Sequence, residues 1–197
     1  MLFRSGTEQI TLNQDGLDLR RGCRDIVIDT ITGETGDDLV ALTAIGSAKT
    51  HPCGEFGRSE FCPPRMDGLS EEVSGIMIRN VTGHSAGGHH IVRFLNTGGI
   101  RMRNILLDGL VDTSPDGFRD YAAVKIGDCN PAWGGVTPLG DTAAFQIVNV
   151  QSRAKRAVLI AGSLADSQIS NILNTNPETA AVTFDSGPEN TRNLDLR

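Results

Sequence analysis

One pattern of hydrophobic and polar positions recurs along the chain: apolar, any, apolar, any, Asn or Thr, apolar. It is read at Ile26–Ile31, Ile76–Val81, Ile100–Ile105 and Phe145–Val150, and more weakly at Ser167–Ile172. Alternation over four residues predicts a short strand with side chains pointing in and out in turn. The polar residue that follows is a turn former. Counted down that column, Thr30, Asn80, Asn104, Asn149 and Asn171 are spaced by 50, 24, 45 and 22. A second short strand is predicted after each pattern, at Val40–Leu42, Val92–Phe94, Val124–Ile126, Val158–Ile160 and Val182–Phe184. An earlier one, Leu17–Leu19, has no upstream partner.

Short alternating strands with a unit of about two dozen residues predict an all-β fold, a right-handed single-stranded parallel β-helix of about six coils. One coil cannot bury its apolar side alone, and stacked coils form one continuous core. The recurring Asn would form a ladder, each amide bonding to the coils above and below. A leucine-rich solenoid would need more Leu at fixed spacing, and a β-sandwich is the remaining rival. The β-helix is expected over residues 11–187, with an insertion at 47–73. Residues 1–10 read as a tail or truncated coil, and 188–197 as a C-terminal tail within a frayed end from Asp185.

Composition narrows the function. The 197 residues suit one domain, and no apolar run is long enough for a membrane helix. The net charge of −6 and 5% aromatics argue against a nucleic-acid-coating protein. The 23 Gly fit many tight turns. Cys53 and Cys62 could staple the insertion, Cys23 and Cys129 read as turn residues, and the spacing is not that of a zinc site. Met1–Ser5 has no signal-peptide character and reads as the start of a truncated frame.

The polar residues that break the solenoid pattern precede successive second strands. Asn13-Gln14-Asp15-Gly16 comes before Leu17, Gly36-Asp37-Asp38 before Val40, and Gly87-Gly88-His89-His90 before Val92. Lys125 lies inside the next strand. Asp15, Asp38 and His90 each stand four residues before an apolar strand position (Leu19, Leu42, Phe94), so stacking would superpose them. Stacked carboxylates repel, and at least one pKa should rise. A raised acid beside ionised bases is what glycosidic hydrolysis needs. Turn-capping by the same Asp residues, or calcium binding by them, are the competing readings.

These residues resemble glycoside hydrolase family 28, the polygalacturonases, whose successive coils carry Asn-Thr-Asp-Gly, Gly-Asp-Asp, Gly-His-Gly and Arg-Ile-Lys. Here Gln14 replaces Thr, Gly36-Asp37-Asp38 matches fully, and Gly88-His89-His90 has a second His. Lys125-Ile126-Gly127 stands for the last motif. By letters the family His is His89; by strand register it is His90. The resemblance covers roughly Thr11 to Gly127. It implies inverting hydrolysis, with Asp37 as general acid, Asp15 and Asp38 activating water, and His89 or His90 holding the ionisation of the acids. Lys125, Arg93 and Asn13 would bind substrate. It implies no metal and no cofactor, a polysaccharide or oligosaccharide partner, a monomer, and an extracellular or periplasmic location, the signal peptide having been lost with the N-terminus. Gly127 in place of the family Lys leaves too few cations for a uronate carboxylate and points to a neutral or differently charged pectin-type glycan. Trp133 and Tyr121 either line a sugar subsite or pack the polar stretch around them.

Two other functions fit the fold. A non-catalytic shaft or carbohydrate-binding β-helix has no use for the carboxylates. A polysaccharide lyase would use Lys or Arg as base, often with calcium.

Overall fold

A computed structural model describes residues 2–4, 14–45, 70–96 and 99–197. Short and long strands alternate along the chain. The short ones are β2 (Leu17–Arg20), β4 (Val40–Ala44), β6 (His90–Asn96), β8 (Ala122–Ile126), β10 (Val158–Ile160) and β12 (Val182–Phe184). They form one sheet in the order β12-β10-β8-β6-β4-β2. The long ones are β3 (Arg24–Thr35), β5 (Val73–Ser85), β7 (Met102–Asp112), β9 (Thr142–Ser152), β11 (Leu164–Asn174) and β13 (Thr191–Leu196). With β1 (Leu2–Arg4) at its edge, the second sheet runs β1-β3-β5-β7-β9-β11-β13. Pairing is parallel and always with the strand two further along the chain, such as β3 with β5 and β4 with β6. The fold is therefore a parallel β-helix, and the β-sandwich is set aside. No helix among the described residues is long and apolar enough to cross a membrane.

The core is a stack of like residues, open at the last coil, where Leu196 and Phe184 are exposed. Ile28, Ile78, Leu107, Ile147, Ile169 and Leu196 pair in succession in the long-strand sheet. Leu19, Leu42, Phe94, Ile126, Ile160 and Phe184 do so in the short-strand sheet. Phe94 and Phe145 meet edge to face across the interior, with centroids 5.2 Å apart.

The long strands β3 to β11 each turn two corners and β13 turns one, and every corner residue has positive φ. One column is Asp25, Gly75, Asn104, Ala144, Asp166 and Asn193; the other is Thr30, Asn80, Gly109, Asn149 and Asn171. Four residues lie between the corners, two of them pointing inward, which explains the six-letter repeat. This corrects the predicted Asn column. Ile76 pairs with Ile105, so Asn80 stacks on Gly109, whereas Asn104 belongs to the other corner. The true spacings are 50, 29, 40 and 22. Asn and Gly are the two residues that enter the left-handed region most readily, so one corner looks like the other in sequence. The ladder is also mixed. Asn171 donates to Asn149 (2.5 Å), but Asn149 donates to Asp108 and Asn80 to Asp29.

The boundaries shift as well. Val73, placed in the insertion by sequence, opens β5. The 188–197 segment is no tail, because Thr191–Leu196 pairs with β11. His51, Cys53 and Cys62 lie outside the described residues. Cys23 and Cys129 are free thiols.

Ala144 is exposed and left-handed (φ 57°). Ala144→Gly, destabilising in an ordinary strand, is expected to stabilise this one by about 0.5–1 kcal/mol. Phe145→Ala, one residue on, should cost about 3–5 kcal/mol. Thermal or urea melting of the two variants reads both signs.

Candidate active site

The short-strand sheet carries the candidate site at the start of its strands. Leu17, Val40 and Val92 are paired in register. Asp15, Asp38 and His90, each two residues earlier, therefore superpose on consecutive coils. A second column runs beside them through Asp18, Ala41, Arg93 and Lys125. Gly87 allows the His-bearing coil to seat, since a Cβ there would strike the carbonyl oxygen of Gly36.

Asp38 is the buried centre, 3% exposed. Its amide donates to Asp15 Oδ1 at 3.1 Å. Its own Oδ1 accepts from the His90 amide (3.1 Å) and lies 2.7 Å from His90 Nδ1. Its Oδ2 faces Arg93 at 3.9 Å. Asp37 lies alongside, and one carboxylate oxygen from each of Asp15, Asp37 and Asp38 falls within 4.8 Å of the others. The two histidines separate here. His90 is buried under Asp38 and edge-on to Tyr121 (5.7 Å). His89 keeps 38% of its side chain exposed, with Nδ1 3.6 Å from Asp37 Oδ1. Register and letters thus select different residues for different positions.

Electrostatics follow from this crowding. Burial, then the Asp38 and Asp37 charges, push Asp15 up to about 7. Burial pushes Asp38 up to about 7 as well, with Asp37 adding to it and Arg93 opposing. Burial, followed by the Arg93 and Lys125 charges, holds His90 well below the usual imidazole range. His90 Nδ1 and Asp38 Oδ1 stand at hydrogen-bond distance, and the imidazole tautomer decides which of them donates. Asp18 is also raised by burial, though Arg20 at 2.6 Å opposes this.

The cationic side is closed by a residue that sequence reasoning missed. Asp128 Oδ2 accepts from Lys125 Nζ at 2.7 Å and from Arg93 at 3.2 Å. Burial raises the Asp128 carboxyl, but the Lys125 hydrogen bond, the Asn130 amide and the two cations win, and it stays below the usual range. Trp133 sits on a short 3-10 turn, Pro131–Trp133, and its ring lies 5.1 Å from the Arg93 guanidinium carbon. Arg156 stacks on Tyr121 at 4.6 Å. Asp128 follows Lys125 by three residues across the Gly127 turn, and no periodic signal marks it. Asn13 lies outside the described residues. The structure brings together Asp15, Asp37, Asp38, His89, His90, Arg93 and Lys125.

Three hard carboxylate oxygens form part of what calcium uses, but calcium takes six to eight. Asp38 Oδ1 already faces His90, and Arg93 stands near its Oδ2. The set fits proton sharing better than a cation. Comparison with protein-family models, with curated proteins and with solved structures finds no match.

Behind the site, Asp120 is fully buried and raised to about 7, mainly by burial. It accepts from the Ser85 amide (3.2 Å) and faces Ser114 Oγ (3.4 Å). Raised folded-state values mean that the fold holds more protons than the unfolded chain between about pH 4 and 7. Stability should therefore fall as pH rises through that window. Asp120→Asn keeps the acceptor and removes the charge. It should shrink the loss of melting temperature between about pH 5 and pH 7.5 by roughly 5–10 °C, about 2–3 kcal/mol. An equal loss in both proteins would contradict this origin.

Proposed function

We propose that the chain is a glycosidase that hydrolyses O-glycosidic bonds of a pectin-type or related polysaccharide with its stacked carboxylates. The observation that carries this reading is the close approach of three carboxylate oxygens, from Asp15, Asp37 and Asp38, on adjacent coils. Such an arrangement costs stability, and it holds Asp15 and Asp38 at the edge of ionisation near neutral pH. Two hydrogen bonds of about 2.7 Å to one water need oxygens about 4–5 Å apart, which suits Asp15 and Asp38 flanking a nucleophilic water. Bases with pKa values near 7 are well matched to that task. Asp37, next to the exposed His89, takes the role of general acid toward the departing oxygen.

The lyase reading is weaker, because Lys125 and Arg93 both donate to Asp128 and are poorly placed to abstract a proton. The resemblance to polygalacturonases implies inversion. The nearest oxygens of Asp15, Asp37 and Asp38 lie within 4.8 Å of one another, whereas the carboxyl groups of inverting pairs usually stand roughly 6.5–9.5 Å apart, so the anomer formed first is an informative readout.

The test is release of reducing ends from a panel of pectic polysaccharides, with absorbance of unsaturated products followed in parallel. The native chain should release reducing ends without unsaturation. Asp37→Asn or Asp38→Asn should lower turnover at least about a hundredfold. Turnover should climb as pH rises through about 7, where Asp15 and Asp38 ionise. Unchanged activity in both variants would sink the assignment.

A further inference from the structure

We propose that Asp128 sets the charge preference of this cleft, acting as a built-in carboxylate that occupies the cations and selects a glycan that is uncharged where it meets Arg93 and Lys125. The inference rests on the glycan-binding reading above and adds the substrate class and the residue that determines it.

A carboxylate ligand is recognised by cations with donors to spare. Here both cations already face a carboxylate of the protein itself. Lys125 Nζ is 2.7 Å and Arg93 3.2 Å from the same Asp128 oxygen, and the Asp128 side chain is 4% exposed. The Lys125 and Arg93 side chains are only 12% and 14% exposed. The second Asp128 oxygen accepts from the Asn130 amide at 2.9 Å, so the carboxylate is fixed by its own turn. Arg93 is further engaged by Trp133 against its guanidinium and by Asp38 at 3.9 Å. A uronate arriving here would have to displace a buried carboxylate already bonded at charge-assisted distances. It would also approach three further carboxylates at Asp15, Asp37 and Asp38.

The coil geometry removes the obvious remedy. Gly127 has φ +70°, and a Cβ there would lie 2.6 Å from Gly162 Cα, so no third cation can stand at that position without moving the next coil. Asp128 therefore substitutes for the ligand's charge. A neutral sugar, which hydrogen-bonds without bringing a second anion, meets no such penalty.

The experiment is titration of the full chain with galacturonate oligomers and with neutral galacto-oligosaccharides of equal length, in native and Asp128→Asn forms. The native chain should bind the neutral oligomer at least as tightly. Asp128→Asn, which keeps an oxygen for the Asn130 amide, should raise galacturonate affinity about tenfold or more and change neutral affinity less than about threefold. Asp128→Ser should act in the same direction if the Asn form folds poorly. Lys125→Gln in the native background should lower galacturonate affinity by less than about threefold, since that charge is already neutralised. A native preference for galacturonate of tenfold or more would overturn the proposal. So would an unchanged ratio in the folded variants, or binding of neither glycan. Reducing-end release, measured on the same samples, separates the two claims. The expected binding pattern without release sinks hydrolysis alone. A native chain that cleaves polygalacturonate faster than neutral polymers sinks charge selection alone.

Discussion

Everything in this molecule depends on exact superposition of one coil on the next. A parallel β-helix pairs each strand only with its neighbours above and below, so a residue's place is fixed by the coil that it stacks on. The left-handed corners enforce this. Asp25, Gly75, Asn104, Ala144, Asp166 and Asn193 all adopt positive φ at one corner, and a Cβ on Gly75 would lie 2.5 Å from Asp25 Oδ1. Between the corners only four residues fit, so alternation alone decides which two enter the core.

The same superposition creates the chemistry. Asp15 and Asp38, 23 residues apart in sequence, become hydrogen-bonded neighbours because β2 and β4 pair in register. Charges that would be scattered on a flexible loop are instead held in a column, acidic on the early coils and cationic on the later ones. The raised Asp15 and Asp38, the depressed His90 and the closed Asp128 triad are consequences of that column.

Much of this was legible in the chain. All six short strands were predicted in place, because their apolar residues sit close to turn signals. The superposition of Asp15, Asp38 and His90 followed from counting back from Leu19, Leu42 and Phe94. The long strands were harder. Two corners that both accept Asn or Gly look alike, so the pattern at Ile100–Ile105 matched the wrong corner. The last strand, Thr191–Leu196, lies in an acidic terminal segment that reads as a frayed end. Asp128 was invisible for another reason. Its importance comes from a turn that folds its carboxylate back between two cations on different coils, and no periodicity encodes that.

The central claim is that the stacked carboxylates share protons near neutral pH. Carboxyl carbon NMR of the Asp-labelled chain, titrated from acid to alkaline pH, tests it most directly. Resonances from Asp15 and Asp38, assigned with single Asn variants, are expected to move together in a coupled step centred near 7. Independent titration of Asp15 and Asp38, both near the ordinary Asp value of about 4, would contradict it.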